Sequence, residues 1–220
     1  MENKKTIVWT KGGGTKDGYY AFKDGDKKVF HCPHKEMKSI ELREDDIVVD
    51  IGAYTGQYAM ICAQHPVKEV RSYEPTLETF KVLEKYENYN NFKCFNLAVV
   101  GNDDEERTFY ISNGIGVTNS LIKKRTGREE KVKCINYNKI ISDATIVKID
   151  IEGGEYEIKD LIQPHIRAYI IDFHKVGKDW KDKANDIIKR LDEYGYECII
   201  KPNFNCGWTQ AGSWIRRPVP

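Results

Sequence analysis

Three stretches of this chain end strand-like runs in acidic residues, two of them with glycines, and a fourth ends such a run in histidine. The first is Val48-Val49-Asp50-Ile51-Gly52-Ala53-Tyr54-Thr55-Gly56, in which a strand-like run meets an acid, turns on glycine and enters a helix. Gly52 lets backbone approach a ligand without a Cβ in the way, and the free N–H groups opening the following helix suit a nucleotide-like group. A dinucleotide site uses Gly-x-Gly-x-x-Gly. Here the spacing is Asp-x-Gly-x-x-x-Gly, with Ala53 where the second glycine belongs. Asp50 would repel a pyrophosphate, whereas it could balance the ammonium end of a cationic ligand such as S-adenosylmethionine.

The second stretch, Ser72-Tyr73-Glu74-Pro75, places Glu74 24 residues after Asp50, where nucleotide-binding α/β folds carry a carboxylate for the ribose hydroxyls. The third is Val147-Lys148-Ile149-Asp150-Ile151-Glu152-Gly153-Gly154-Glu155. Three carboxylates in six residues at the end of a buried strand require partners: a cation, a metal or helix N–H groups. Capping accounts for Glu155 but not for Asp150. The next apolar run ends Ile171-Asp172-Phe173-His174, which brings His174 to the edge that holds Asp150 if the two strands are neighbours. Ligands collect at that edge of an open α/β sheet.

Several elements must position these residues. From Asp45 onward, apolar runs at 47–50, 69–73, 92–95, 145–149 and 168–173 alternate with helical stretches of about ten residues, the pattern of a parallel sheet with crossover helices. A last strand pair is expected near 196–200 and 211–216. Asp179 is placed to cap a helix whose apolar face is Trp180, Ala184, Ile187, Ile188, Leu191 and Tyr194, with Gly195 as its stop. Thr76 caps another, with Leu77, Phe80, Leu83 and Tyr86 on one side and Glu78 in the first turn. Between Gly101 and Val132 the rhythm lapses, and a hairpin or loop over one end of the sheet is expected there. Residues 1–42 read as an N-terminal β extension of short strands and turns, and 43–220 as the main domain.

The 220 residues carry 35 Lys plus Arg against 34 Asp plus Glu, so no field of one sign holds the chain on nucleic acid or an anionic membrane. Only three apolar residues, Ile7 to Trp9, follow the basic start, too few for a signal peptide, and no run reaches the ~20 residues of a membrane span. The six cysteines form no Cys-x-x-Cys pair, which disfavours a zinc knuckle and suits free thiols in a reducing, cytoplasmic setting. Cys62 and Cys198 sit in apolar contexts. Lys11-Gly12-Gly13-Gly14-Thr15-Lys16 lacks the phosphate-loop spacing.

Asp50-Ile51-Gly52-Ala53-Tyr54-Thr55-Gly56-Gln57-Tyr58, Glu74-Pro75, Asn96-Leu97-Ala98-Val99 and Lys148-Ile149-Asp150-Ile151-Glu152-Gly153-Gly154-Glu155, in that order and spacing, resemble the FkbM family of S-adenosylmethionine-dependent methyltransferases over roughly 43–176. The resemblance implies a Rossmann-like class I α/β fold with a mostly parallel seven-stranded sheet, and O-methylation of a hydroxyl, most often on a sugar or sugar-bearing product. Carried over by position, Asp50, Gly52 and Gly56, with Ala53 and Tyr54 between them, form the methionine end of the cofactor site. Glu74 holds the ribose, Asn96, Leu97 and Ala98 line the adenine, and Asp150 faces methyl donor and acceptor. Asp172-Phe173-His174 matches a carboxylate-x-His ending, with Asp in place of the commoner Glu. Asn119-Ser120-Leu121 resembles a Ser-Leu pair from the middle of the family.

Methyl transfer to a hydroxyl needs donor and acceptor in line and the hydroxyl proton removed. His174 is the expected base, with Asp150 or Asp172 orienting it. Alternatively Asp150, Glu152 and His174 help hold a divalent metal that lowers the hydroxyl pKa, and the sequence leaves the two open. The expected partner is a small-molecule or glycan acceptor. The rival reading is a nucleic-acid methyltransferase, for which the basic residues Lys123, Lys124, Arg125 and Arg128 speak; Glu129 and Glu130 beside them, and the lack of an Asn/Asp-Pro-Pro-Tyr/Phe motif, speak against it.

Overall fold

The computed structural model describes residues 20–24, 27–31, 39–87, 89–112, 119–122, 127–205 and 210–217. Strands β1 (Tyr20–Asp24) and β2 (Lys27–His31) pair antiparallel as a hairpin. Residues 1–19, 25–26 and 32–38 of the expected extension, among them Lys11 to Lys16, lie outside the described residues.

A seven-stranded sheet carries the molecule. Its strands are β3 (Ile47–Ile51), β4 (Glu69–Tyr73), β5 (Phe92–Phe95), β9 (Ile146–Ile149), β10 (Ala168–Ile171), β11 (Tyr196–Ile200) and β12 (Gly212–Arg216), in the spatial order β11-β12-β10-β9-β3-β4-β5. Neighbours from β5 to β10 run parallel, and β12 is antiparallel to both β10 and β11. From β3 the chain first winds outward through β4 and β5, then returns to lay β9 against the other side of β3. That reversal is a topological switch point, where an open α/β sheet leaves a crevice at the carboxyl ends of its strands.

The central strands are short β-branched runs because both of their faces are covered. Every residue of β3, β9 and β10 is buried. Alternation divides their side chains between two cores. Val49, Ile51, Val147, Ile149, Tyr169 and Ile171 face the helix α4 (Trp180–Glu193), which contributes Ala184, Ile187 and Leu191. Val48, Val70, Ile146 and Ile170 face the helix α1 (Gln57–Ala63) and its Tyr58, Ala59 and Cys62. Each such aliphatic contributes about 1.5–3 kcal/mol of burial.

The helices α2 (Leu77–Leu83) and α3 (Tyr137–Ile140) are shorter than the sequence pattern suggests, and only a 3-10 turn, Gly154–Glu157, lies between β9 and β10. Of the expected apolar face of α2, Leu83 alone is buried and Leu77 stands half exposed. Tyr194 is also solvent-facing, just past α4, and Cys198 is exposed on β11. Asp179 holds the N-cap position of α4, but its carboxylate pairs with Lys183 and makes no cap bond.

The stretch where the rhythm lapses is a ribbon. Strands β7 (Glu106–Ser112) and β8 (Gly127–Asn136) pair antiparallel, and β6 (Ala98–Val100) lies parallel to β8 on its other edge. Lys123, Lys124 and Arg125 fall outside the described residues. Among the described residues no helix is long and apolar enough to cross a membrane.

Candidate active site

Asp50 and Lys148 are cross-strand partners on β3 and β9, on the sheet face beneath α1. The Lys148 ammonium lies 3.1 Å from Asp50 Oδ1, donates to the Gly52 carbonyl at 3.2 Å and stands 3.5 Å from Asp150 Oδ2. Asp50 is wholly buried. Burial raises its pKa despite the opposing pull of Lys148. Burial likewise works against the charge on Lys148, but Asp50 and Asp150 outweigh it and its pKa stands above the ordinary lysine value. Asp50 thus has no exposed surface in this structure, and its ionic contact is Lys148.

Gly52 stands at φ +74°, and a Cβ on it would fall 1.8 Å from the Asp150 carbonyl oxygen. The missing side chain makes room for the neighbouring strand end rather than for a ligand. Gly56, at φ +88°, is required by Leu83 of α2, 2.7 Å from where its Cβ would be. Between them the Gly52 and Ala53 N–H groups both donate to the Tyr73 carbonyl at 3.0 Å. Ala53 is buried, while Tyr54 is partly exposed in a left-handed conformation (φ 51°). One other non-glycine residue shares that conformation among those described: Glu152, in the loop after β9. Such strain persists only where surroundings enforce it, and it gathers at functional sites.

Glu74 is nearly buried at the end of β4. Its Oε2 accepts the Tyr54 N–H at 2.9 Å, and its Oε1 accepts the Thr76 N–H at 2.9 Å and the Thr79 hydroxyl at 2.8 Å. Burial raises its pKa, with those donors opposing. The Thr76 hydroxyl is a further donor to the same carboxylate. Asn96 braces the same loop, its amide donating to the Glu74 and Pro75 carbonyls at 2.9 Å each. Leu97 is partly buried against the main core. Ala98 packs with Phe109, Ile111 and Val132 in the ribbon.

Asp150, Glu152, Asp172 and His174 converge at the carboxyl ends of β9 and β10, as the neighbouring strands require. His174 Nε2 lies 3.5 Å from Asp150 Oδ1 and 3.6 Å from Glu152 Oε1. Its Nδ1 meets Glu155 Oε1 at 3.2 Å, and Glu155 also takes the His174 N–H at 2.9 Å and the Gly153 N–H at 2.9 Å. The group that orients the imidazole is thus the fully buried Glu155, not Asp150 or Asp172. Burial works against a charged His174, but Glu155, Asp150 and Asp172 outweigh it and hold its pKa at about 10. Asp172 accepts the Gln210 N–H at 3.0 Å; burial and then the Asp150 charge push its pKa up to about 7. Ligand atoms of Asp150, Asp172 and His174 all lie within 4.8 Å of one another.

Sequence reasoning missed Lys148 and Glu155 as partners, although both stand in the Lys-Ile-Asp-x-Glu-Gly-x-Glu run. It also missed what Asn119 and Ser120 touch. Asn119 donates to Thr76 Oγ1 at 3.2 Å, and Ser120 donates to the Glu152 carbonyl at 2.8 Å.

The profile described as "Methyltransferase FkbM domain" matches residues 50–198, well over half of the chain. The chain belongs to the FkbM methyltransferase family. This FkbM protein is accordingly an S-adenosylmethionine-dependent methyltransferase of Rossmann-like class I architecture. No curated protein matches it. Solved structures similar to the FkbM chain include a precorrin-6y C5,15-methyltransferase from Geobacter metallireducens, at 10% identity over 83% of this chain and 86% of that one, with a TM-score of 0.46. A ribosomal protein L11 methylase from Lactobacillus delbrueckii subsp. bulgaricus aligns at 9% identity over 83% and 76%, with a TM-score of 0.46. An rRNA methylase from Streptococcus thermophilus aligns at 11% identity over 82% and 93%, with a TM-score of 0.45.

Proposed function

We propose that the protein transfers a methyl group from S-adenosylmethionine to a hydroxyl, that of a sugar in a glycan or glycosylated metabolite, within a domain spanning 43–220. The observation that carries the reading is the cluster of Asp150, Asp172 and His174, with ligand atoms within 4.8 Å of one another, beside the left-handed Tyr54 and Glu152 loops at the switch point. An oxygen acceptor needs its proton removed, and this cluster offers groups able to take one.

The charge of the site suits the cofactor. Among the described residues, Asp50 and Asp150 pair with Lys148, and Asp150, Glu152 and Glu155 with His174, with Asp172 beside them, so acidic groups predominate at this edge. S-adenosylmethionine, when bound, supplies an activated methyl group on a positively charged sulfur. The Gly52–Gly56 loop and the Glu74 loop, braced by Asn96, form the walls that would hold it, with Glu74 the carboxylate that would meet the ribose. His174, with its pKa held at about 10, carries a proton at neutral pH, so it serves as base after releasing its Nε2 proton to solvent, a loss that the cofactor's positive charge beside Asp150 favours. We assign His174 Nε2 the proton from the acceptor hydroxyl, with Glu155 fixing the ring through Nδ1 and Asp150 and Asp172 stabilising the imidazolium that forms.

A second reading gives Asp150, Asp172 and His174 a divalent cation. Two carboxylates and an imidazole are a suitable donor set, and the ion would lower the hydroxyl pKa. The nucleic-acid reading loses its described support, because Arg128 is paired with Glu78 and Glu130.

Calorimetric titration with S-adenosylhomocysteine, paired with a screen of glycans for methyl acceptance with magnesium or with chelator, tests these readings. Micromolar binding and methylated hydroxyls are expected. A folded protein that binds no S-adenosylhomocysteine would refute the cofactor site. Activity abolished by chelation would move the cluster from base to metal ligation.

A further inference from the structure

The segment Asn119–Ser120 is almost wholly buried yet belongs to the β7–β8 ribbon rather than to the main sheet. Its backbone is stapled to β7: Tyr110 and Ser120 exchange N–H to carbonyl bonds of 2.8 and 3.0 Å. The Asn119 carbonyl oxygen Oδ1 accepts the Ser112 N–H at 3.0 Å, which turns its amide nitrogen outward to Thr76 Oγ1. The Ser120 hydroxyl accepts the Ile122 N–H at 3.1 Å and donates to the Glu152 carbonyl.

Those two contacts end on different walls of the site. Thr76 closes the loop that Glu74 organises, since Glu74 Oε1 holds the Thr76 N–H. Glu152 is the left-handed residue after β9, a conformation costly for a side chain bearing a Cβ and maintained only by outside contacts. A hydroxyl donating into its carbonyl supplies such a contact. The ribbon is anchored at other points by Arg107 to Glu157 and by Arg128 to Glu78, so it forms a solid support for both ends.

We propose that Asn119 and Ser120 form a two-ended clamp: positioning residues that hold the Glu74–Thr76 loop and the Glu152 turn at a fixed separation and so preorganise the cofactor cradle between them. The clamp rests on the cofactor reading of this site. Preorganisation raises affinity by removing the ordering that binding would otherwise require.

The test is calorimetric titration with S-adenosylhomocysteine of the wild type and of Ser120→Ala, Asn119→Asp and Thr76→Val, together with the double variant Ser120→Ala/Thr76→Val. Asn119→Asp keeps the acceptor for Ser112 and removes the donor to Thr76; Thr76→Val cuts the same contact from the other side, together with the Thr76 hydroxyl's own bond to Glu74, so Asn119→Asp isolates the clamp contact. Each single substitution is expected to weaken binding about tenfold with the ligand-free melting temperature little changed. The double variant is expected to bind no worse than its weaker parent, because a clamp opened at one end no longer joins the loops. Singles that bind as tightly as the wild type overturn the clamp. So does a double variant whose loss is the product of the two single losses, which identifies two unconnected local contacts. If Ser120→Ala does not fold, Asn119→Asp and Thr76→Val still decide. A wild-type protein that binds no S-adenosylhomocysteine removes the cofactor reading itself, an outcome distinct from unaffected variants of a wild type that binds.

Discussion

Replacing Lys148 with methionine nearly preserves its length and removes the cation that Asp50 contacts among the described residues. Asp50 has no exposed surface, so its carboxylate would be left buried without that counter-charge. Breaking a buried pair from one side costs about 3–5 kcal/mol, which for a chain of this size lowers the melting temperature by roughly 7 to 11 °C. The double variant Asp50→Asn/Lys148→Met leaves no orphaned charge and should recover to within about 2 kcal/mol of the wild type. The loss also has a definite pH dependence. Burial already raises the Asp50 pKa with Lys148 present, and without the ammonium it rises further. In Lys148→Met the folded protein then binds a proton that the unfolded chain releases above about pH 4. The deficit is therefore greatest at neutral pH and shrinks as the pH falls through the raised value toward about 4. Denaturant unfolding of the wild type and both variants at neutral and at mildly acidic pH measures both effects. A Lys148→Met deficit below about 1 kcal/mol, or a double variant as unstable as the sum of its parents, would show that the pair is not coupled as described.

His174 titrates in the same direction at higher pH. Its folded pKa of about 10 lies above the ordinary value near 6.5, so its proton contributes stability that is complete below about pH 6.5 and is lost as the pH rises through 10. Thermal melts from neutral to alkaline pH should show the wild type losing more stability than His174→Gln; parallel curves would contradict the charge assignment. Gly52→Ala should fail to fold, or should bind no S-adenosylhomocysteine, since its methyl group would overlap the Asp150 carbonyl; circular dichroism and calorimetry distinguish the two, and an unaltered protein would refute the close approach. Arg167→Met removes the bidentate partner of the buried Asp46 at the opposite edge of the sheet. It should cost about 3 kcal/mol of stability on denaturant titration while leaving S-adenosylhomocysteine affinity unchanged, and a loss of affinity would show coupling across the sheet.

Much of the fold was legible because periodicity is a property of single residues. Ile47 to Val49 and Ile146 to Ile149 are largely apolar, β-branched and bounded by turns, Glu69 to Tyr73 keeps Val70 and Tyr73 inside, and the helix at Trp180 repeats its buried face through Ala184, Ile187 and Leu191. The site was legible as far as which residue types gather at strand ends. What escaped were choices among partners. Asp50 carries the same motif whether it faces a ligand or Lys148, and only the β3–β9 register, set across the long stretch of chain between the two strands, places the ammonium beside it. Glu155 looked like a cap because its sequence neighbours are a turn; its reach to His174 depends on β10 lying next to β9. Likewise the exposure of Leu77 and the inward turn of Ala98 depend on where the ribbon and α2 settle, which a spacing rule does not contain.

The Asp50–Lys148 pairing also constrains the order of assembly. Strands β3, β4 and β5 with their helices are contiguous in the chain and form the short-range half of the sheet. That half cannot close its core beneath α1 by itself, since doing so would strand the Asp50 carboxylate in an apolar interior before its cation arrives on β9. The charge therefore delays completion of the early half until the late half docks, making the two halves one cooperative unit and leaving few partly folded forms with a finished central strand.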